Sequence, residues 1–502
     1  MKPFVLVTVI AVTSILAGYF WGSHQTDPSL VLPNQVEQGV DYDQASLEGV
    51  LRAALPPNPD GTVWQVREGE SIQRAVALAA PGDTVLVFPG EYHESVYIDK
   101  DHIYLVGVID EGSRATLNGR GVLNDAILYS GNSIVIENFE IKNYKGNAIM
   151  GQAGNNFEIR NNLIIDSGVY GIFPQLGQNG VVTHNVISGI ADAAIYVGMS
   201  DNIHVAHNEV FDSVAGIEIE NSRYAVVENN YVHDNTGGVL AFITPGLPIK
   251  TTEHVIIRNN FIVNNNHPNF GAPGSTVAGI PAGTGILIMA ADDVVIEDNI
   301  ISGNKTAGVI ITDHDNAPNT TLDPESDPVP DRVVLLDNFM INNGYDTIAD
   351  VQALMLTEFK TGLVDIVSVG RNRDSCILNP GRYHVVGLGD YDRCSVTTSA
   401  NLANYLLAEP VQERPVEDFK LGEIAYLGVC SGCHTYNGRM IGPPVVVIQA
   451  LYENNPEGLA DYIANPRKIR PDYPEMPPQS YLSEETRRAV AEYMLKIDQP
   501  SH

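Results

Sequence analysis

Residues 159–165 read IRNNLII, and the same figure returns as VTHNVIS (182–188), VAHNEVF (205–211), VENNYVH (227–233), IRNNFIV (257–263), IEDNIIS (296–302) and LLDNFMI (335–341). VIENFEI (135–141) precedes them. The shared asparagines, Asn138, Asn162, Asn185, Asn208, Asn230, Asn260, Asn299 and Asn338, are spaced by 24, 23, 23, 22, 30, 39 and 39 residues. A second mark, a small residue opening an apolar run, falls at Gly146, Gly171, Ala194, Gly216, Gly238, Gly285 and Gly308. A period of 22–24 holding two or three short β-rich runs suits one coil of a right-handed parallel β-helix. A leucine-rich repeat needs Leu at fixed positions, where this chain has Ile and Val. Asparagine tolerates the left-handed conformation at a tight turn, and stacked Asn side chains hydrogen-bond along a ladder.

The ends of the repeat agree with this. SIQRAVALAA (71–80) has the pattern of a short amphipathic helix, suited to capping an open first coil. The stretch SIQRAVALAAPGDTVLVFPGEYHESVYIDK (71–100) resembles the start of secreted β-helix proteins of the pectin-esterase and carbohydrate-binding sugar-hydrolase type. The run from Gly237 to Asn304 is similar to a bacterial family of exported parallel β-helix proteins. That family is associated with cytochrome-like partners and has no established activity. DPESDPVPD (323–331) reads as an exposed insertion between coils, and 399–416 as a linker to a new element.

That element carries Cys430-Ser431-Gly432-Cys433-His434. Two thiols three apart can each form a thioether to a haem vinyl group, with the adjacent imidazole on the iron. GEIAYLGVCSGCHTYNGRMIGPP (422–444) resembles the N-terminal helix and haem loop of class I cytochromes c, and the stretch 473–497 their distal loop and last helix. The resemblance implies one covalent haem c on Cys430 and Cys433, with His434 as proximal iron ligand and Met476 as distal ligand. Met440 lies nearer His434 and reads as a packing residue. Cys376 and Cys394 remain, eighteen apart, and read as a structural disulfide.

Within each coil the residues after the small mark should alternate inward and outward. The inward set, Ile172, Ile195, Ile217, Val239, Ile286 and Val309, is a core stack. The outward set, Phe173, Tyr196, Glu218, Glu220, Leu240, Phe242, Leu287 and Met289, is too apolar to face water. Three coverings are open: the insertions 244–254 and 264–283, the C-terminal element, or a substrate. Glu218 with Glu220 is a weak carboxylate pair for sugar chemistry, and two surface acids is the plainer reading. Asp313-His314-Asp315 is a second weak candidate, for a base or a metal ligand.

The chain has 61 acids against 29 bases over 502 residues, a net charge of −32, which excludes nucleic acid as a natural partner. An acidic carrier should instead meet a basic redox protein. Lys2 and the apolar run through Trp21 match either a cleaved signal peptide or, at about 20 residues, an uncleaved inner-membrane anchor, which is preferred.

The expected chain therefore has a signal or anchor (1–22), an extended linker (23–60), an all-β right-handed parallel β-helix (61–398), a linker (399–416) and a small all-α class I cytochrome c domain (417–502). Its expected function is periplasmic electron transfer, with the β-helix as docking body. The alternatives are a carbohydrate-active lyase, epimerase or hydrolase carrying an accessory cytochrome and binding a glycan, and a non-enzymatic scaffold.

Overall fold

The computed structural model describes residues 51–497, apart from 274, 318–322, 400–404, 413–420, 432, 438–441, 471–472, 474–475, 477 and 481. The segment 1–22 lies outside the described residues. From Val63 to Arg393 the chain winds through three parallel sheets of 13, 10 and 11 strands, here the first, second and third in order of appearance. It is a right-handed parallel β-helix, as the repeat predicts. A typical coil runs Tyr170–Gln175 in the third sheet, Gln178–Thr183 in the first and Val186–Ser188 in the second. The helix Ile72–Leu78 starts the solenoid, with the Ser71 hydroxyl accepting from the Arg74 amide, and buries Ile72, Ala75 and Val76 over the first coil.

The core follows from the alternation. Ile172, Ile195, Ile217, Val239, Ile286 and Val309 lie in register on successive third-sheet strands, all fully buried. The corners follow from asparagine. Asn138, Asn161, His184, His207, Asn229, Asn259 and Asp298 are left-handed at the corner from first to second sheet. The residue after each, from Phe139 to Asn299, turns into the barrel, as does Asn338 on the next coil. There the Asn162 amide donates to Asn185, and the pattern repeats through Asn208, Asn230, Asn260, Asn299 and Asn338 at 3.0–3.1 Å.

Two marks were displaced. Asn138 belongs to the left-handed column, paired with Asn161, and Phe139 holds the buried position, its amide donating to Asn162. Gly146 likewise stands two residues early, because Ile149 pairs with Ile172 and so Ala148 matches Gly171. Spacings of 24 and 25 where neighbours give 22 or 23 were the trace of these slips.

After the last coil the chain turns back along the first sheet. The Val411 amide donates to Asn156, whose side chain donates to the Val411 carbonyl; Asn179 accepts from Leu407, and Asn202 donates to Tyr405. The expected linker is therefore, over 405–411, a strap bonded to left-handed corner asparagines. Beyond it the helices Leu421–Ala425, Val445–Leu451, Pro456–Ala464 and Glu484–Lys496 enclose a small core of Val445, Leu459, Ile463, Val490 and Met494. Ser483 caps the last of them, its side chain accepting from the Thr486 amide.

Candidate functional site

The outward face of the third sheet is buried, and two of the three anticipated coverings share it. The insertion 264–283 lays Val277 and Ile280 against Leu240, Phe242 and Met289. Toward the N-terminal coils, the turn Tyr426–Cys430 packs on the strand Ile149–Gln152. Between these covers Tyr170 stacks on Tyr196 at 4.6 Å, and Phe173 meets both rings.

Acids converge on this aromatic patch. Glu218 and Glu220 leave the strand Ala215–Glu220 on the same side, and Asp192 precedes the neighbouring strand Ala193–Gly198. Glu218 is 2% exposed and Glu220 7%. They differ in what they touch. Glu220 accepts from the hydroxyls of Tyr196 and Thr244, whereas Oε1 of Glu218 has no hydrogen-bond partner. Burial raises the pKa of all three carboxyls; Asp192 and Glu220 raise Glu218 further, and the two hydroxyls draw Glu220 back down. The charges acting on Glu218 are thus all of its own sign, and like-charged carboxyls in one dry site cannot all ionise. Asp125, three coils toward the N-terminus, is pushed up to about 6 by burial against bonds from Asn147 and Asn124.

Asp192 carries no alternating-strand signature, and its place beside Glu218 came from folding alone. Asp192 occupies the corner before its strand, where sequence periodicity is silent, and Tyr170 opens its own strand.

Asp313, His314 and Asp315 are engaged elsewhere. Asp313 caps a short turn through the Asn316 amide and accepts from Arg371, His314 Nε2 meets the Ile243 carbonyl at 2.9 Å, and Asp315 pairs with Arg371. They form a structural knot distinct from the acidic patch. Glu253, His254 and Asp293 are close enough to share a cation, but both Asp293 oxygens already bond Arg332 at 2.7 and 2.8 Å.

Cys376 and Cys394 are joined in a disulfide on the last coils. Cys430 and Cys433 are free, and burial pushes their thiols up to about 12 and about 11. The His434 ring is buried, its Nδ1 held 2.8 Å from the Pro443 carbonyl, an arrangement that leaves Nε2 as the free lone pair. A Cβ on Gly442 would stand 2.2 Å from that ring, so only glycine lets the backbone pass. Met476 packs, partly buried, on the small core that includes Cys430. The donor set fits a covalently held haem. Met440 lies outside the described residues.

The family model described as right handed beta helix region matches residues 117–243 and 241–326. No curated protein matches the chain in sequence. Among solved structures the chain is similar to DFA-IIIase from Arthrobacter chlorophenolicus A6 (13% identity, 63% of this chain and 94% of that one, TM-score 0.42). It is also similar to alginate lyase from Paenibacillus sp. str. FPU-7 (13%, 62% and 99%, 0.42) and to the A-module of mannuronan C-5 epimerase AlgE4 from Azotobacter vinelandii (13%, 67% and 90%, 0.36).

These findings correct the expected function. Periplasmic electron transfer by a c-type cytochrome, with the β-helix as mere docking body, gives way. The comparisons find β-helix proteins and no cytochrome or redox protein. The motif-bearing turn Tyr426–Cys430 packs on the strand Ile149–Gln152 of the solenoid. No helix among the described residues is long and apolar enough to cross a membrane. The chain is a right-handed parallel β-helix repeat protein.

Proposed function

We propose that the third-sheet face is a carbohydrate-active site and that its chemistry is hydrolysis of a neutral glycan. The carrying observation is the unequal pair on one strand: Glu218 dry, unpartnered and surrounded by acids, Glu220 held by two hydroxyls. Environments that push two carboxyls apart assign the roles of acid and base. Glu218, whose pKa is raised by burial and by Asp192 and Glu220, is the carboxyl suited to give a proton to the leaving oxygen. Glu220, whose charge the Tyr196 and Thr244 hydroxyls stabilise, acts opposite it as base or nucleophile. Two residues along a strand separate their Cα atoms by about 6.6 Å, compatible with carboxyls on either side of one bond. Tyr170, Phe173 and Tyr196 offer the rings on which a sugar stacks.

The substrate class follows from charge. The groups acting on Glu218 are carboxyls, whereas lyases and epimerases of acidic sugars neutralise a uronate with Arg or Lys. A net charge of −32 also repels polyanions. The protein works in the periplasm, where an exported chain forms its Cys376–Cys394 disulfide. Haem c would be its accessory group: Cys430, Cys433, His434 and Met476 are the residues that would hold it, and it would supply a redox-active iron centre.

Release of reducing ends from neutral oligosaccharides tests the reading. Glu218→Gln and Glu220→Gln should each lower turnover about 100-fold or more with the fold intact. Full activity in Glu218→Gln, or silence of the wild type across neutral glycans, removes it.

A further inference from the structure

Beneath the motif-bearing turn, the third sheet holds two buried amides with nothing to bond. Gln152 and Gln175 are in register on adjacent coils and are 4% and 1% exposed. The side-chain nitrogen of each lacks a hydrogen-bond partner. Both side chains leave the sheet on its outward side, in line with Met150 and Phe173, while Gly151 between them backs onto the inward Tyr129. Neighbouring strands are about 4.8 Å apart, so the two donors form one short row. Buried donors of this kind are rare in a folded protein, and two side by side mark a socket for an acceptor.

What stands over the socket is the haem-attachment segment. Tyr426–Cys430 packs on Ile149–Gln152, and Cys433 is close enough to Asp125, Asp192 and Tyr170 for their charges to interact. A haem carries two carboxylate side chains, which need hydrogen-bond donors when taken out of water. We propose that Gln152 and Gln175 donate to the carboxylates of the haem held on Cys430, Cys433 and His434, so that the solenoid builds one wall of the haem seat. The haem is then attached by the C-terminal element and oriented by the β-helix, and the two are locked together by it. The inference rests on haem attachment, and the haem would share the outward face of the strand Tyr170–Gln175 with a bound glycan.

Gln152→Met with Gln175→Met keeps the volume and removes both donors. The full chain would be produced with and without c-type haem maturation, and melting temperature and the Soret circular dichroism compared. Without haem the pair should melt at or above the wild type, because two stranded donors have gone. With haem it should melt below the wild type, with an altered Soret dichroism and about tenfold faster proteolysis between 399 and 416, as loss of two hydrogen bonds implies. A Gln65→Ala variant, at an exposed site on the first strand, should change none of these. An unchanged Soret signal and equal melting in the haem-loaded pair would overturn the proposal. So would wild-type protein that carries no covalent haem after maturation. If the double variant fails to fold without haem, Gln175→Met alone gives the same comparison.

Discussion

Glu218 and Glu220 stand two residues apart on one strand, yet one meets only other acids while the other meets two hydroxyls. If Glu220 works as the ionised partner, activity falls on the acid side as it takes up its proton. Removing a hydroxyl that stabilises the charge raises its pKa. Tyr196→Phe should therefore move the acid limb of the pH–rate profile upward, by roughly one pH unit for a hydrogen bond to a charged group. An unmoved limb would mean that Glu220 does not control it. Asp192 supplies a second test. Its pKa in the folded protein is raised above the unfolded value, by burial first and by Glu220 next. The fold thus favours the proton, and stability is lost as pH rises above the ordinary carboxylate range. Asp192→Asn has no proton to lose. It should melt with the wild type near pH 4 and about 2 °C or more above it at neutral pH. Sequence made the glutamates visible as an interruption in an apolar outward row. It could not show that Asp192, from a corner, joins them, because corner residues carry no period.

At the scale of the coil, the buried asparagines act as a continuous element. Asn208 donates to the Val182 and Ala206 carbonyls and to Asn230, and accepts from both nitrogens of Asn185. Truncating it strands buried partners on three segments. Asn208→Ala should cost about 2–4 kcal/mol in denaturant unfolding, well beyond Asn229→Ala at the adjacent left-handed corner. Equal costs would show that the corner, not the ladder, sets stability. This element was legible in sequence because the same residue recurs at the same place in each coil. A second ladder, Asn235, Asn265, Asn304 and Asn343, closes the opposite corner and was overlooked. Its first steps repeat the 30 and 39 spacings already seen, and Ser213 before it hides its start. The strap 405–411 was legible only as a composition shift. Its bonds are made by its backbone, which leaves no pattern in its letters.

Over the whole molecule, the solenoid is a scaffold whose insertions and C-terminal element close over one of its three faces. The Cys430–His434 motif is the sharpest local signal in the sequence. The function proposed here lies in the sheet beneath it, where the acids of two coils meet. The acidic surface that first excluded nucleic acid now also selects among sugars, favouring neutral chains over polyuronates. The central claim is that a glycan binds against Tyr170, Tyr196 and Glu218. A crystal structure of the Glu218→Gln protein soaked with the neutral oligosaccharide it binds most tightly measures this directly. The expected result is a sugar ring stacked on Tyr170 or Tyr196, with its glycosidic oxygen within hydrogen-bond reach of residue 218. A glycan seated on another face, with the third sheet still sealed, would contradict it.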